Sequence, residues 1–158
     1  MQLDAAGLRI DGDAIAALRA GKIAAGDAVI LRGLGVRGGP GMGMASRIVF
    51  AIDGAGLGPD VAVVTDGQLS GLVNKGLVVG EVNPEAATGG PLALVVDGDP
   101  ISIDADAGSI ELLVPAAELA ARRAKLKLTD RHSEEGWLAI YERSVQPLEN
   151  GAALVQPK

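Results

Sequence analysis

Apolar residues fall in unbroken runs along the first half of this chain and in short, turn-separated runs along the second. AVIL at 28–31 and DVAVV at 60–64 are too short for helices and have no polar face, so they predict strands buried on both sides. Around them the spacing changes. GDAIAALRA at 12–20 predicts a short helix with Asp13 or Gly12 at its N-cap and a stop at Gly21. ASRIVFAIDGAGLG at 45–58 places Ile48, Val49, Ile52 and Leu57 at helical intervals. The glycine-dense stretch GLGVRGGPGMGM, 33–44, joins the first strand to that helix. Further on, GLVVGEV, PLALVVDGD, PISIDAD and SIELLV read as four strands. Asn83-Pro84, Gly89-Gly90-Pro91, Asp97-Gly98-Asp99-Pro100 and Asp106-Ala107-Gly108 supply the turns, and LALVVDGDPISID reads as a hairpin. PAAELAARRAKLKL predicts a helix with Pro115 in its first turn and basic residues near its end, where the helix dipole favours them. WLAIYERSVQPL closes the chain with a short amphipathic piece. Many short strands with helices packed outside predict a small barrel or sandwich of mixed α and β type.

Composition narrows this picture. Hydrophobic residues make up 48% but aromatics only 2%, so the core has to be built from Val, Ile, Leu and Ala. A length of 158 residues fits one domain, 1–158, whose last part, 129–158, is expected to pack on it as a tail. The formal charge of −6, with no basic run longer than Arg122-Arg123, argues against a nucleic-acid partner. No apolar stretch reaches the roughly 20 residues of a membrane span. The opening MQLDAAGLRIDGD lacks the order of a signal peptide. With no cysteine, this chain has no disulfide, thiolate-bound cluster or cysteine-bound zinc of its own, and a cytoplasmic address fits best.

Two stretches can carry chemistry. RGGPGMGMAS at 37–46, with Gly38, Gly39, Pro40, Gly41 and Met42, could offer backbone N–H groups to a carboxylate or phosphate ahead of a helix. It matches neither G-x-x-x-x-G-K-[ST] nor an embedded G-x-G-x-x-G, and a loop that only packs strand against helix would read the same way. Ser70 sits in TDGQLSG directly after a buried strand, where ligands often meet α/β folds. The surroundings are not G-x-S-x-G and no histidine is near, which disfavours a serine–histidine hydrolase; the plain alternative is a turn serine. His132, in TDRHSEE, reads as a surface residue. Asp97, Asp99, Asp104 and Asp106 read as turn aspartates without a calcium loop around them.

Taken in order, VRGGPGM at 36–42, GAGLGPDVAVVTDGQLSG at 54–71, GLVVGEVNPEAATGGPLALVVDGDPISID at 76–104 and ELAARR at 118–123 resemble the C-terminal domain of the dihydroxy-acid and phosphogluconate dehydratase family. The likeness runs from about residue 12 to the tail GWLAIYERSVQPLENGA. It implies a swivelling β/β/α domain, a β-barrel flanked by helices, that covers an active site on a larger N-terminal domain. That partner domain would hold an iron–sulfur cluster and Mg²⁺; this chain alone would hold no cofactor and no metal. The complete enzyme would be a homodimer acting on a hydroxy acid. Ser70 matches the serine that the family uses as the base removing the C2 proton of a 2,3-dihydroxy acid on the way to a 2-keto acid, supported by Thr65, Asp66, Gly67 and Gly71. Three features depart from the family. Met44 stands where a metal-binding glutamate is usual, LVNK at 72–75 replaces a glycine-threonine-histidine piece, and Glu81 stands where a histidine is common. These departures leave room for a non-catalytic small-molecule binding or assembly module of the same fold, and point to a divergent subgroup.

Overall fold

A computed structural model describes residues 2–8, 11–39, 45–128 and 135–155. The strands are β1 (Gln2–Leu8), β2 (Asp27–Leu31), β3 (Ala62–Thr65), β4 (Leu77–Val79), β5 (Pro100–Asp104) and β6 (Ser109–Leu112). The helices are α1 (Asp11–Arg19), α2 (Ser46–Gly54), α3 (Ala116–Lys125) and α4 (Gly136–Ser144). Short 3₁₀ turns occupy Ala86–Thr88, Pro91–Leu94 and Leu148–Asn150.

The strands form one sheet in the order β4-β3-β2-β1-β5-β6. From β4 to β1 every pairing is parallel, with Leu31 of β2 opposite Leu8 of β1 on one side and Thr65 of β3 on the other. From β1 through β5 to β6 the pairings are antiparallel. Residues alternate across β2: Ala28 and Ile30 enter one core cluster, Val29 and Leu31 the other. Both faces are therefore covered, which is why the sequence runs apolar without a break. On one face Ile48, Val49 and Ile52 of α2 and Ala14 of α1 close over Val29, Leu31 and Val63. On the other, the segment carrying Ala86, Leu92 and Val95 lies over Ile30, Val64 and Ile101. Emptying a central position such as Leu31, fully buried, removes about 2–5 kcal/mol.

The structure corrects three expectations. Among the described residues the sheet is open, with β4 and β6 as its edges, so neither a closed barrel nor a sandwich is seen. The predicted strand at 91–99 is instead a 3₁₀ turn, Pro91–Leu94, followed by an irregular stretch. Pro91 has no N–H to give a ladder, and the Arg32 guanidinium takes the carbonyls of Leu92 (2.9 Å) and Val95 (2.8 Å) that a neighbouring strand would need. The hairpin accordingly lies one segment later, between β5 and β6. The third correction is β1, a central strand where no element was expected.

The tail returns to the sheet end. Val145, just past α4, is buried and bridges Leu154 antiparallel, and its carbonyl accepts from Arg37 Nη2 at 3.2 Å. Among the described residues no helix is long and apolar enough to cross a membrane.

Candidate functional site

Parallel strands deliver their following loops to the same end of a sheet, and β2 and β3 are neighbours. The loop after β2 and the loop holding Ser70 therefore emerge side by side. Two hydrogen bonds join them directly. Ser46, the first residue of α2, accepts the Ser70 backbone N–H through its Oγ at 2.8 Å. Ala45 N–H donates to the Gln68 carbonyl at 2.9 Å.

Two buried carboxylates tie the rest of this rim. Asp66, the first residue after β3, is 1% exposed, and it accepts N–H groups from Gly33 (3.0 Å), Leu34 (2.9 Å) and Ala86 (2.9 Å). One side chain thus pins three separate points of the backbone. Glu85, 4% exposed, accepts the N–H groups of Arg37 (3.0 Å) and Gly38 (2.9 Å). Gly35 is small for a reason, because a Cβ there would stand 2.8 Å from the Glu85 Cβ. Burial pushes the Glu85 carboxyl above its ordinary value, and the neighbouring Asp66 charge adds to this. The N–H groups of Gly38 and Arg37, and the Arg37 charge, pull the other way.

The anion-cradle idea meets these bonds at two positions. The Gly38 N–H is spent on Glu85, and the Gly39 N–H on the Gly35 carbonyl at 2.9 Å. Pro40, Gly41, Met42 and Met44 lie outside the described residues, as does His132. Ser70 is half-buried, and its Oγ accepts the Leu72 N–H at 3.3 Å, the geometry of a turn serine. Thr65 Oγ1 accepts the Gly67 N–H at 2.9 Å and steadies the same turn. Gly71 is exposed. Leu72, beside it, projects with 81% of its surface in solvent. Glu81 is exposed and takes a left-handed φ of 59° where the chain leaves β4.

Sequence reading singled out Ser70 but gave Asp66 only a supporting place, and it passed over Ser46 and Glu85. A polar pair, Thr65-Asp66, directly after the apolar run of β3 was the available signal for Asp66. Neither of the other two carries a local signal. Among the described residues no group of three His, Asp or Glu side chains is placed to hold a metal ion, and the chain has no cysteine, so its residues do not fit an iron–sulfur cluster.

Residues 5–152 match the family model described as dihydroxy-acid/6-phosphogluconate dehydratase C-terminal. Similar proteins named dihydroxy-acid dehydratase include one from Pyrobaculum neutrophilum, 44% identical over 148 residues, covering 94% of this chain and 26% of the relative. One from Clostridium beijerinckii is 47% identical over 146 residues, 92% of this chain and 26% of the relative. One from Nitratidesulfovibrio vulgaris is 46% identical over 142 residues, 90% and 25% respectively. The chain spans about a quarter of the length of these relatives.

Proposed function

The chain belongs to the dihydroxy-acid/6-phosphogluconate dehydratase C-terminal family, and from that premise we propose that it is the part of a hydro-lyase that brings Ser70 to a hydroxy-acid substrate. The substrate would be a 2,3-dihydroxy acid or sugar acid. Ser70 would take the proton from C2 as the C3 hydroxyl leaves, and the resulting enol would become a 2-keto acid. The observation that carries this reading is the junction at the rim, where the Ser70 loop is fastened to the start of α2 and to the glycine loop through Ser46 and Asp66.

Such a chemistry needs more than this chain. An ordinary serine hydroxyl is a very weak base, and positive charge near its oxygen must stabilise the oxyanion. In this reading that charge would be supplied by an iron–sulfur cluster and Mg²⁺ held by an N-terminal partner domain, on the same chain or as a separate subunit. The two would close on each other by a swivelling motion. Within this chain, Thr65 and Asp66 hold the turn, Gly67 and Gly71 would complete the loop around the serine, and Gly38 to Met42 would border the substrate. A second reading, a binding or assembly module without turnover, is favoured by one contact, the Leu72 N–H already engaged with Ser70 Oγ.

Ser70→Ala in the assembled dehydratase separates the two. If Ser70 is the base, kcat falls by a factor on the order of 10²–10⁴, KM changes less and the melting temperature barely moves. A turn serine predicts the reverse, with turnover intact and a stability loss of about 1 kcal/mol.

A further inference from the structure

Helix α4 is covered on one side and carries apolar residues on the other. Ala139 and Glu142 face inward, and Val145 continues that face past the helix end. On the opposite side Trp137, Ile140 and Tyr141 follow at i, i+3 and i+4, an interval that lines up one stripe along a helix. Trp137 is 70% exposed and Ile140 56%, with Tyr141 half-buried beside them. The stripe holds the single Trp and the single Tyr of the chain. An outward helix face would ordinarily be polar, and outward stripes of Trp and Tyr are the residues interfaces favour.

Resting on the dehydratase reading above, we propose that this outward stripe is where the domain docks on the larger remainder of the dehydratase. Two observations choose that occupant. The relatives are about four times as long as the region they share with this chain, so each carries a large body beyond it. The helix that carries the stripe is also tied at its C-terminal end to the glycine loop of the candidate site. Arg37 of the glycine loop donates its backbone N–H to Glu85 at the rim and its Nη2 to the Val145 carbonyl at the end of α4. A body that covers this rim has the C-terminal end of α4 at its border, and in this proposal it extends over the outward side of the helix, where Trp137, Ile140 and Tyr141 are the apolar anchors it meets.

The test is hydroxyl-radical footprinting read by mass spectrometry on two proteins. One is the 158-residue chain; the other is the Clostridium beijerinckii dehydratase with this chain in place of its matched region. Trp137 and Ile140 should oxidise readily in the isolated chain and be protected severalfold in the chimera, while exposed Ile110 on β6 oxidises in both. Ile140→Glu should restore oxidation of Trp137 in the chimera and leave the melting temperature of the isolated chain unchanged. Equal oxidation of Trp137 in both proteins overturns the proposal. So does protection in the isolated chain that grows with its concentration, which would assign the stripe to a second copy, and so does a chimera that fails to fold. Protection without turnover would defeat the catalytic reading and leave the docking surface standing; turnover with Trp137 still oxidised would do the opposite.

Discussion

The two halves of the sheet both bury carboxylates, yet they handle them differently. At the end of the parallel half, Asp66 and Glu85 are held by backbone N–H groups from distant loops. At the antiparallel half, Asp99 takes one N–H from its own turn, that of Val96 at 2.8 Å, and is otherwise held by a side chain, the Arg122 guanidinium of α3, with Nη2 2.9 Å from Oδ1; Arg122 in turn reaches Glu118 and the Leu94 carbonyl. A backbone donor cannot move away without moving its loop, so carboxylates of the first kind fix the positions of chain segments. A guanidinium brings its own opposite charge and fixes a helix to a turn. The first arrangement suits a site whose loops must keep their relative positions, the second an outer edge.

The largest break in this comparison should come from Asp66→Ala. Three N–H groups would lose their acceptor at once, at about 1–3 kcal/mol each if left buried and unreplaced, against a total stability of about 5–15 kcal/mol for an ordinary domain. Urea denaturation should show most of the stability gone. The matching change on the other half, Asp99→Ala, orphans the Arg122 guanidinium, which keeps Glu118 and the Leu94 carbonyl, and one N–H, that of the exposed Val96, and should cost clearly less.

Next in size come pH effects of opposite sign. Burial holds the Glu85 carboxyl above its ordinary value of 4.5, so the folded state binds that proton more tightly than the unfolded one. Its contribution is fully present below pH 4.5 and is lost as the pH rises through the raised folded value. Hydrogen bonds from Arg122 hold Asp99 below its ordinary 3.8, so its contribution is present above that pH and is lost as the pH falls through the lowered value. Relative to Glu85→Gln the unmodified chain should therefore lose stability as pH rises from 4.5. Relative to Asp99→Asn it should lose stability as pH falls below 3.8. Denaturant midpoints of the three proteins, followed from below 3.8 to well above 4.5, measure both, and slopes of the same sign would remove the distinction between the halves.

The smallest effect belongs to Glu118→Ala. It breaks an exposed i,i+4 pair with Arg122, and the shift in thermal melting should sit near the limit of detection.

What could be read from the sequence follows the same division. Runs such as AVIL and DVAVV identify β2 and β3 because burial on both faces leaves no choice of residue. The spacing of Ile48, Val49 and Ile52 does the same for α2. β1, QLDAAGL, escapes because Asp, Ala and Gly have little strand preference of their own; its place between β2 and β5 makes it a strand. Leu92 to Val95 misleads in the other direction, since Leu92, Leu94 and Val95 are buried as expected but Arg32 holds the carbonyls at both ends. At the rim, the resemblance singled out Ser70. The bonds that place it did not show, because Ser46 lies 24 residues from Ser70 and Glu85 lies 47 from Gly38, and no local pattern reports contacts at such range.

The central claim is that Asp66 locks the loops after β2, β3 and β4 into one rim, and amide hydrogen exchange resolved by residue tests it most directly. In the unmodified chain the amides of Gly33, Leu34 and Ala86 should exchange slowly and with similar protection, and Asp66→Asn should speed all three together while the amides of β5 and β6 keep their rates. Fast exchange of these three in the unmodified chain, or acceleration of only one of them in Asp66→Asn, would contradict the account.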